Sequence, residues 1–567
     1  MSKFFGLAWI LIVPLWVHAI DREAFTFTKY DLDVRIEPEQ QRLGVRGRMT
    51  LRNDSSSPQK SLSIQISSSL NWSSIQFEKQ PVEFVSQTYT SDIDHTGALS
   101  EAIVVLPRAI APKQSIDLDV GYEGVIPLDT TRLARIGVPV ETAKHTDWDQ
   151  ISPTFTAVRG IGYVVWYPVA TEAASLSDGD AVPEAQEKWE EREGSTEMKA
   201  VFAVSGSSGE SQKLLCNAPS TGLEIEQIGM LSISKTQCDY LLRHSALFSI
   251  GNFASLDRPA VKIEYLPDHK AGADDYASAV DEVTPLITKW FGDHREGSGT
   301  KAELIDMTDS ESASYESGNF LLMPLNVSDT KLLLAASQQT THLFFPSPHF
   351  WIHGGLASYA QARLIEEKQD RGAAIKYLEG HRGGLLELEK TADARDQDSL
   401  TNSRDEFAVQ LKAMYVWWML RDMIGDEDLA AALHSYKAGD DSGMDHMQKL
   451  IEAQSHRDLQ WFFDDWVYRD HGLPDFRVVS IFTSDLPTGG YMSTVTIENL
   501  GSAGAEVPVT LHLQTSGVTQ RLVVPAKAKA SVRIQSASLP QSATVNDGSV
   551  PESDTSNNEY RVESLNH

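Results

Sequence analysis

Residues 337–359 read SQQTTHLFFPSPHFWIHGGLASY, and the side chains in that run with chemistry to offer are His342, His349 and His353, beside Gln338, Gln339 and Gly354. Two imidazoles at i and i+4 share one helix face, and a carboxylate from the next element completes a three-ligand zinc site with one position left for water. His342 has Gln338 four residues before it. A carboxamide is neutral and a far poorer zinc ligand than imidazole or carboxylate, so that pair cannot hold the metal. Gln339 fails as a general base, because an amide cannot take a proton from bound water. His349 and His353 do stand at i and i+4, but Pro346 and Pro348 argue against a regular helix there, and histidines beside Phe350 and Trp351 read as packing residues. Ser317 and Ser358 have no paired base in reach, which sets nucleophilic catalysis aside.

The elements that must position these residues are set by periodicity. Residues 331–336 are an apolar run leading into a buried helix, which a Pro-broken turn separates from a second helix expected to open at Gly354. Upstream, Tyr276, Val280, Val283, Ile287 and Trp290 fall at helical spacing over 273–291, and Gly292 stops them. Residues 301–307 and 319–323 read as strands. Helices are expected over 354–379, 407–423 and 429–436. Before all of these, Tyr30, Leu32, Val34 and Ile36 alternate, as do Leu62, Ile64 and Ile66, and then Ile116, Leu118 and Val120, which predicts an antiparallel sandwich over 25–127. Residues 160–169, GIGYVVWYPV, read as a strand rich in aromatics, and 184–193, with Glu187, Glu190 and Glu191, as a solvated acidic helix or loop. Alternation returns after Phe476 at Val495, Ile497, Val507, Val509, Leu511, Leu522, Val524, Val532 and Ile534, an immunoglobulin-like sandwich.

In this order the motifs resemble the gluzincins, the aminopeptidase N-like zinc peptidases. In that family one helix carries H-E-x-x-H and the next begins W-L-x-E-G-x-A-S-Y. Trp351, Gly355, Ala357, Ser358 and Tyr359 match the second signature, with Ile352 for its Leu, and His342 falls at the second zinc histidine. The first histidine position then holds Gln338, the general-base position Gln339 and the third-ligand position Gly354. FAVQLKAMYVWWMLRDMIG, 407–425, is similar to the family's Y-x-K-G-A-x-V-L-x-M-L-R-x-x-x-G helix, with Lys412, Val416, Met419, Leu420, Arg421 and Gly425 in place and Gln410 where the oxyanion-stabilising tyrosine stands. Phe462, Phe463, Trp466 and Val467 resemble the F-F-x-x-W-V that ends these catalytic domains. The family's groove-edge motif G-x-M-E-N, whose glutamate holds a peptide's free amine, has its nearest text at 315–319, with Asn319 on the asparagine and Gly318 on the glutamate, ahead of Phe320. Leu43, Gly47, Met49, Leu51 and Asn53, with YEGVI at 122–126, resemble the family's N-terminal β-domain. The run VNDGSVPESDTSNNEYRV, 545–562, is similar to a hairpin of bacterial cell-adhesion-related (CARDB-like) β-domains. Asp547, Glu552, Asp554 and Asn558 suggest calcium there, but the spacing is not an EF-hand's and turn-forming residues explain it better.

The chain has 567 residues, a multi-domain length, with ordinary hydrophobic (41%) and charged (23%) fractions. A net charge of −30 repels phosphate backbones and sets nucleic-acid binding aside. Lys3, an apolar run over 4–17 and V-H-A ending at Ala19 resemble a secretory signal peptide, implying a secreted or periplasmic protein with no membrane span after cleavage; the alternative is an uncleaved anchor, for which the run is short and broken by Pro14. Cys216 and Cys238 are the only cysteines; in an exported chain an even pair suggests a disulfide, the alternative being two buried thiols. Asn53, Asn71 and Asn326 lie in N-x-S sequons.

These readings give a multi-domain α+β protein: signal peptide 1–19, N-terminal β-domain 20–127, gluzincin-like peptidase domain 128–474 (β-rich over 128–265, mainly helical over 266–474) and C-terminal β-sandwich 475–567. No catalytic side chain is expected at Gln338, Gln339 or Gln410. No cofactor is expected either, with His342, and behind it His349 and His353, as the residual metal candidates. The expectation is a non-catalytic scaffold for an extended peptide or an exported protein, engaged along the groove edge at Gly318, Asn319 and Phe320. The alternative is an active zinc metallopeptidase with atypical ligands.

Overall fold

The computed structural model describes residues 20–207, 212–228, 231–295, 301–391, 399–403, 406–441, 443–469 and 471–562. The expected signal peptide, 1–19, lies outside them. The chain divides into two compact units, Met1–Gly251 and Asn252–His567.

The alternation in the first unit does what the pattern predicts. Along Phe25–Glu37 the side chains of Tyr30, Leu32, Val34 and Ile36 are buried while Asp31, Asp33 and Arg35 face solvent. The strand pairs antiparallel with Arg42–Asn53 and parallel with Glu197–Ser207, inside an eight-stranded sheet. Gln59–Ser67, Ala98–Ile110 and Phe84–Thr90 form a three-stranded sheet, and the two sheets share one hydrophobic core. Strands from 25–125 and from 197–241 therefore lie in one sheet, so the β-rich stretch expected to open a second domain at residue 128 packs with the first.

One local expectation is corrected in this unit and a second holds in part. Residues 160–169 are not a strand; the strand is Phe155–Val158. Gly160 and Gly162 take φ of +89° and +91°, which breaks extended backbone, and the segment beyond them is irregular, with Trp166 and Tyr167 fully buried. The acidic stretch is a helix, Ala181–Glu193, exposed at Glu184, Glu187 and Glu191, but it buries Trp189 and Glu193. Burial pushes the Glu193 carboxyl up to about 7, against the pull of Arg192. Cys216 and Cys238 are joined in a disulfide. Asn53 is buried and its amide donates to the carbonyls of Ser57 and Ile110, whereas Asn71 and Asn326 are exposed.

The second unit opens with strands β1 (Ala254–Asp257) and β2 (Val261–Tyr265), helix α1 (Lys270–Phe291), and strands β3 (Ala302–Asp306), β4 (Tyr315–Ser317) and β5 (Phe320–Met323). Sheet order is β1-β2-β3-β5-β4, with β2, β3 and β5 parallel and the two outer strands antiparallel. Helices α2 (Asp329–Phe344), α3 (Phe350–Lys368), α4 (Arg371–Thr391) and α5 (Glu406–Ile424) come next. Ser328 caps α2, its hydroxyl accepting from the Lys331 N–H. Helix α3 begins four residues before the expected Gly354, because His349 sits extended at its N-cap and its carbonyl already takes the Ile352 and His353 N–H groups. The expected single helix over 354–379 is two, broken after Lys368.

The C-terminal strands form a three-stranded sheet (Phe476–Asp485, Tyr491–Asn499, Lys529–Ser536) and a four-stranded one (Gly517–Val524, Ala505–His512, Ser542–Val545, Glu559–Arg561). Their inner faces join the hydrophobic core of the helices, and the Trp466 indole donates to the Gly504 carbonyl at 2.7 Å. Among the described residues no helix is long and apolar enough to cross a membrane.

Candidate functional site

The central helix α2 carries Gln338, Gln339 and His342, and both its carboxamides are engaged inside the protein. Gln339 is 1% exposed. Its oxygen accepts from the Tyr276 hydroxyl of α1 at 2.6 Å, and its nitrogen donates to the carbonyls of Glu303 (3.4 Å) on β3 and Asn319 (3.3 Å). Burial holds the Tyr276 phenol well above its usual range, so it stays a donor. The Gln338 oxygen accepts from the Gln361 amide of α3 at 3.3 Å. That amide also donates to the Leu334 carbonyl, and the Gln361 oxygen accepts from the Tyr377 hydroxyl of α4 at 2.9 Å.

His342 and His353 come together. Their rings stack 4.1 Å apart at 16°. His342 Nδ1 lies 2.9 Å from the Glu316 carboxylate on β4, and His353 Nδ1 lies 3.5 Å from the Phe345 carbonyl. Burial, with His342 as a like-charge neighbour, pushes His353 down to about 3, so its imidazole is neutral at ordinary pH. His349 does not join them. Its Nε2 is 3.5 Å from Asp441 Oδ1, and the other Asp441 oxygen accepts from Ser347 and Tyr436.

Gly354 sits one turn after Phe350 on α3, and a Cβ built there would lie 2.8 Å from the Phe350 ring. A Cβ on Gly355 would meet Ala413 at 2.6 Å and Trp417 at 3.0 Å, so α3 and α5 touch through a bare backbone that any side chain would part. Other signature residues serve packing: Arg421 pairs with Glu366 and lies 4.1 Å over the Trp418 ring, and the Lys412 ammonium lies 5.8 Å from the Trp466 ring. Glu366, engaged by Arg421 and Arg363, is committed away from Gly354. Gln410 stands partly buried on α5.

The residues expected at a groove edge lie in a hairpin turn and at the start of an inner strand. Gly318, at φ +62°, and Asn319 form the turn between β4 and β5, and Phe320 opens β5. Strand β5 is flanked by β3 and β4, so strand addition along 319–323 has no open side, and the outer strand is β4 with Glu316. Sequence reading missed Glu316 because three residues are too few to register as a strand. The signal that would have found it is Gly318-Asn319, a two-residue hairpin turn between two short runs.

Zinc in such a site needs three nitrogen, sulfur or carboxylate donors aimed at one point. Here His342 Nε2 is buried with no hydrogen-bond partner and its Nδ1 faces Glu316, as a ligand's would, but the α2 position one turn before it holds a carboxamide bonded elsewhere and the His353 ring lies flat on the His342 ring. Among the described residues no three His, Cys, Asp or Glu side chains assemble into a metal-holding group. The residues present do not fit zinc. Calcium fails likewise at the C-terminal hairpin: the Glu552 carboxylate is fully buried and takes the Asn546 and Asn558 amides and the Phe476 N–H, while Asp547 and Asp554 accept from Ser549 and Ser556 in local turns.

No family model matches the sequence, and no curated protein matches it. Solved structures do. Aminopeptidase A of Legionella pneumophila, in complex with aspartic acid, aligns over 94% of this chain and 60% of its own length, with TM-score 0.58 and 11% identity. An M1 zinc metallopeptidase of Deinococcus radiodurans, a mutant bound to a Tyr-Ser-Ala substrate, aligns over 79% of this chain and 95% of its own, with TM-score 0.47 and 13% identity. The fold is similar to that of the Legionella aminopeptidase, a mixed α+β architecture with N-terminal β-sheets, a helical middle and a β-rich C-terminal part. This chain spans 60% of the Legionella enzyme's length. On that fold it sets Gln338, Gln339 and His342 on the central helix and Gly354 on the next.

Proposed function

We propose that this protein is an exported, non-catalytic scaffold that binds an extended peptide or another exported protein. The observation that carries the reading is Gln339. At the position where a peptidase of this fold needs a base stands a nearly inaccessible carboxamide whose oxygen and nitrogen are both spent inside the protein. Gln338, Gly354 and Gln410 support it, since none supplies a ligand or an acidic hydroxyl. Strand β4, with Glu316, is the outer strand of its sheet and offers the edge to which an extended peptide would add.

A competing reading is a zinc peptidase with substitute ligands. In its favour, two imidazoles and the Glu316 carboxylate lie close together and His342 Nε2 is buried without a hydrogen-bond partner; against it, no three donors among the described residues converge into a metal-holding group. Metal analysis of the purified protein together with peptide hydrolysis separates the two. Sub-stoichiometric zinc, no hydrolysis and saturable binding of unstructured peptides are expected. Stoichiometric zinc that is lost with His342→Ala, accompanied by hydrolysis, overturns the proposal.

A further inference from the structure

We propose that Gln338 and Gln339 form a metal-free tie, holding α2 to the sheet and to α1, α3 and α4 through carboxamide hydrogen bonds. In the peptidases that the sequence resembles, metal coordination joins the central helix to the next one. Here the same two helix positions make that join in another way, which goes beyond the question of what the scaffold binds.

The chemistry of the upper rung selects glutamine. The pocket around residue 339 offers one hydroxyl donor, from Tyr276, and two carbonyl acceptors, from Glu303 and Asn319. A carboxamide alone among similar side chains carries both an acceptor and a two-hydrogen donor in that volume. A carboxylate would accept from Tyr276 but turn a buried charge, at 1% exposure, toward two carbonyl oxygens with no hydrogen to give them. The Asn319 carbonyl belongs to the β4–β5 turn, so this rung also fixes the hairpin that carries Glu316. The lower rung runs from Gln338 through Gln361 to Tyr377, spanning α2, α3 and α4. The four helices and the sheet are thus cross-linked through two successive α2 positions, one turn before His342, without any metal.

The test is thermal unfolding of the full chain in EDTA from pH 5 to 8, for wild type, Gln339→Glu, Gln339→Met, Gln361→Met, Tyr377→Phe and Tyr276→Phe. Gln339→Glu should unfold several degrees below wild type at pH 8, with the deficit shrinking toward pH 5 as the protonated acid regains a donor. Gln339→Met should show a deficit independent of pH, and Tyr276→Phe a smaller one. Gln361→Met should lower the midpoint and, combined with Gln338→Met, fall short of additive. A Gln339→Glu midpoint equal to wild type at pH 8 overturns the tie. If Gln339→Glu does not fold, an unchanged Tyr276→Phe midpoint overturns the upper rung. Unchanged Gln361→Met and Tyr377→Phe midpoints overturn the lower one. Zinc content and hydrolysis of the wild type decide the proposed function separately, so the two ideas fail independently.

Discussion

The imidazole of His353 lies flat on that of His342, centroids 4.1 Å apart, with Glu316 held by the His342 edge. The stack has a pH consequence. His353 is pushed down to about 3 in the folded protein, while an imidazole in an unfolded chain titrates near about 6.5. Between those values the unfolded state binds a proton that the folded state refuses. The stability this group contributes is therefore complete above about pH 6.5 and is lost as pH falls toward about 3. His353→Leu should flatten that part of the acid limb. Denaturant midpoints for wild type and variant between pH 7.5 and 4 will check it; parallel curves would mean that His353 is not held neutral by the fold.

Trp351 stacks on Trp417 at 5.2 Å and 10°, and the Trp417 indole donates to the Trp351 carbonyl. Trp351→Ala and Trp466→Ala should each cost about 3–5 kcal/mol, the range for truncating a buried aromatic. His342→Ala should cost less than either, about 1–3 kcal/mol, since it removes the stack on His353 and leaves the mostly buried Glu316 carboxylate without its partner. Equilibrium unfolding in urea measures all three, and equal losses would assign His342 a structural role.

Rebuilding the peptidase ligand set by Gln338→His, Gln339→Glu and Gly354→Glu together should not yield stoichiometric zinc, because the Phe350 ring stands where the third ligand's stem must pass. Adding Phe350→Ala should raise zinc occupancy above the triple variant's. Equilibrium dialysis followed by elemental analysis reads both. Full occupancy in the triple variant would show that Phe350 swings aside.

Reducing the Cys216–Cys238 bridge, which closes a loop of sequence separation 22, should destabilise the first unit by about 3 kcal/mol on the chain-entropy estimate. Unfolding with and without dithiothreitol, against Cys216→Ala/Cys238→Ala, tests this.

What the sequence by itself determined was the repeated pattern. The alternation at Tyr30, Leu32, Val34 and Ile36 and the helical stripe from Tyr276 to Trp290 each put side chains on one face, and a face must be buried. The identities Gln338, Gln339, Gln410 and Gly354 also sufficed to expect lost metal chemistry, because a carboxamide's donor strength is intrinsic to it. Tertiary structure alone decided who meets whom. Strand β4 was invisible because three residues have no period, yet it brings Glu316 to His342 across 26 positions. The pairing of His342 with His353 rather than His349, the join of strands 25–125 with 197–241, and the engagement of Gln339 by Tyr276, 63 residues away, are all contacts set by packing. Local spacing carries no record of such contacts, because the distance between two residues along a chain does not fix their distance in space once helices and sheets have packed.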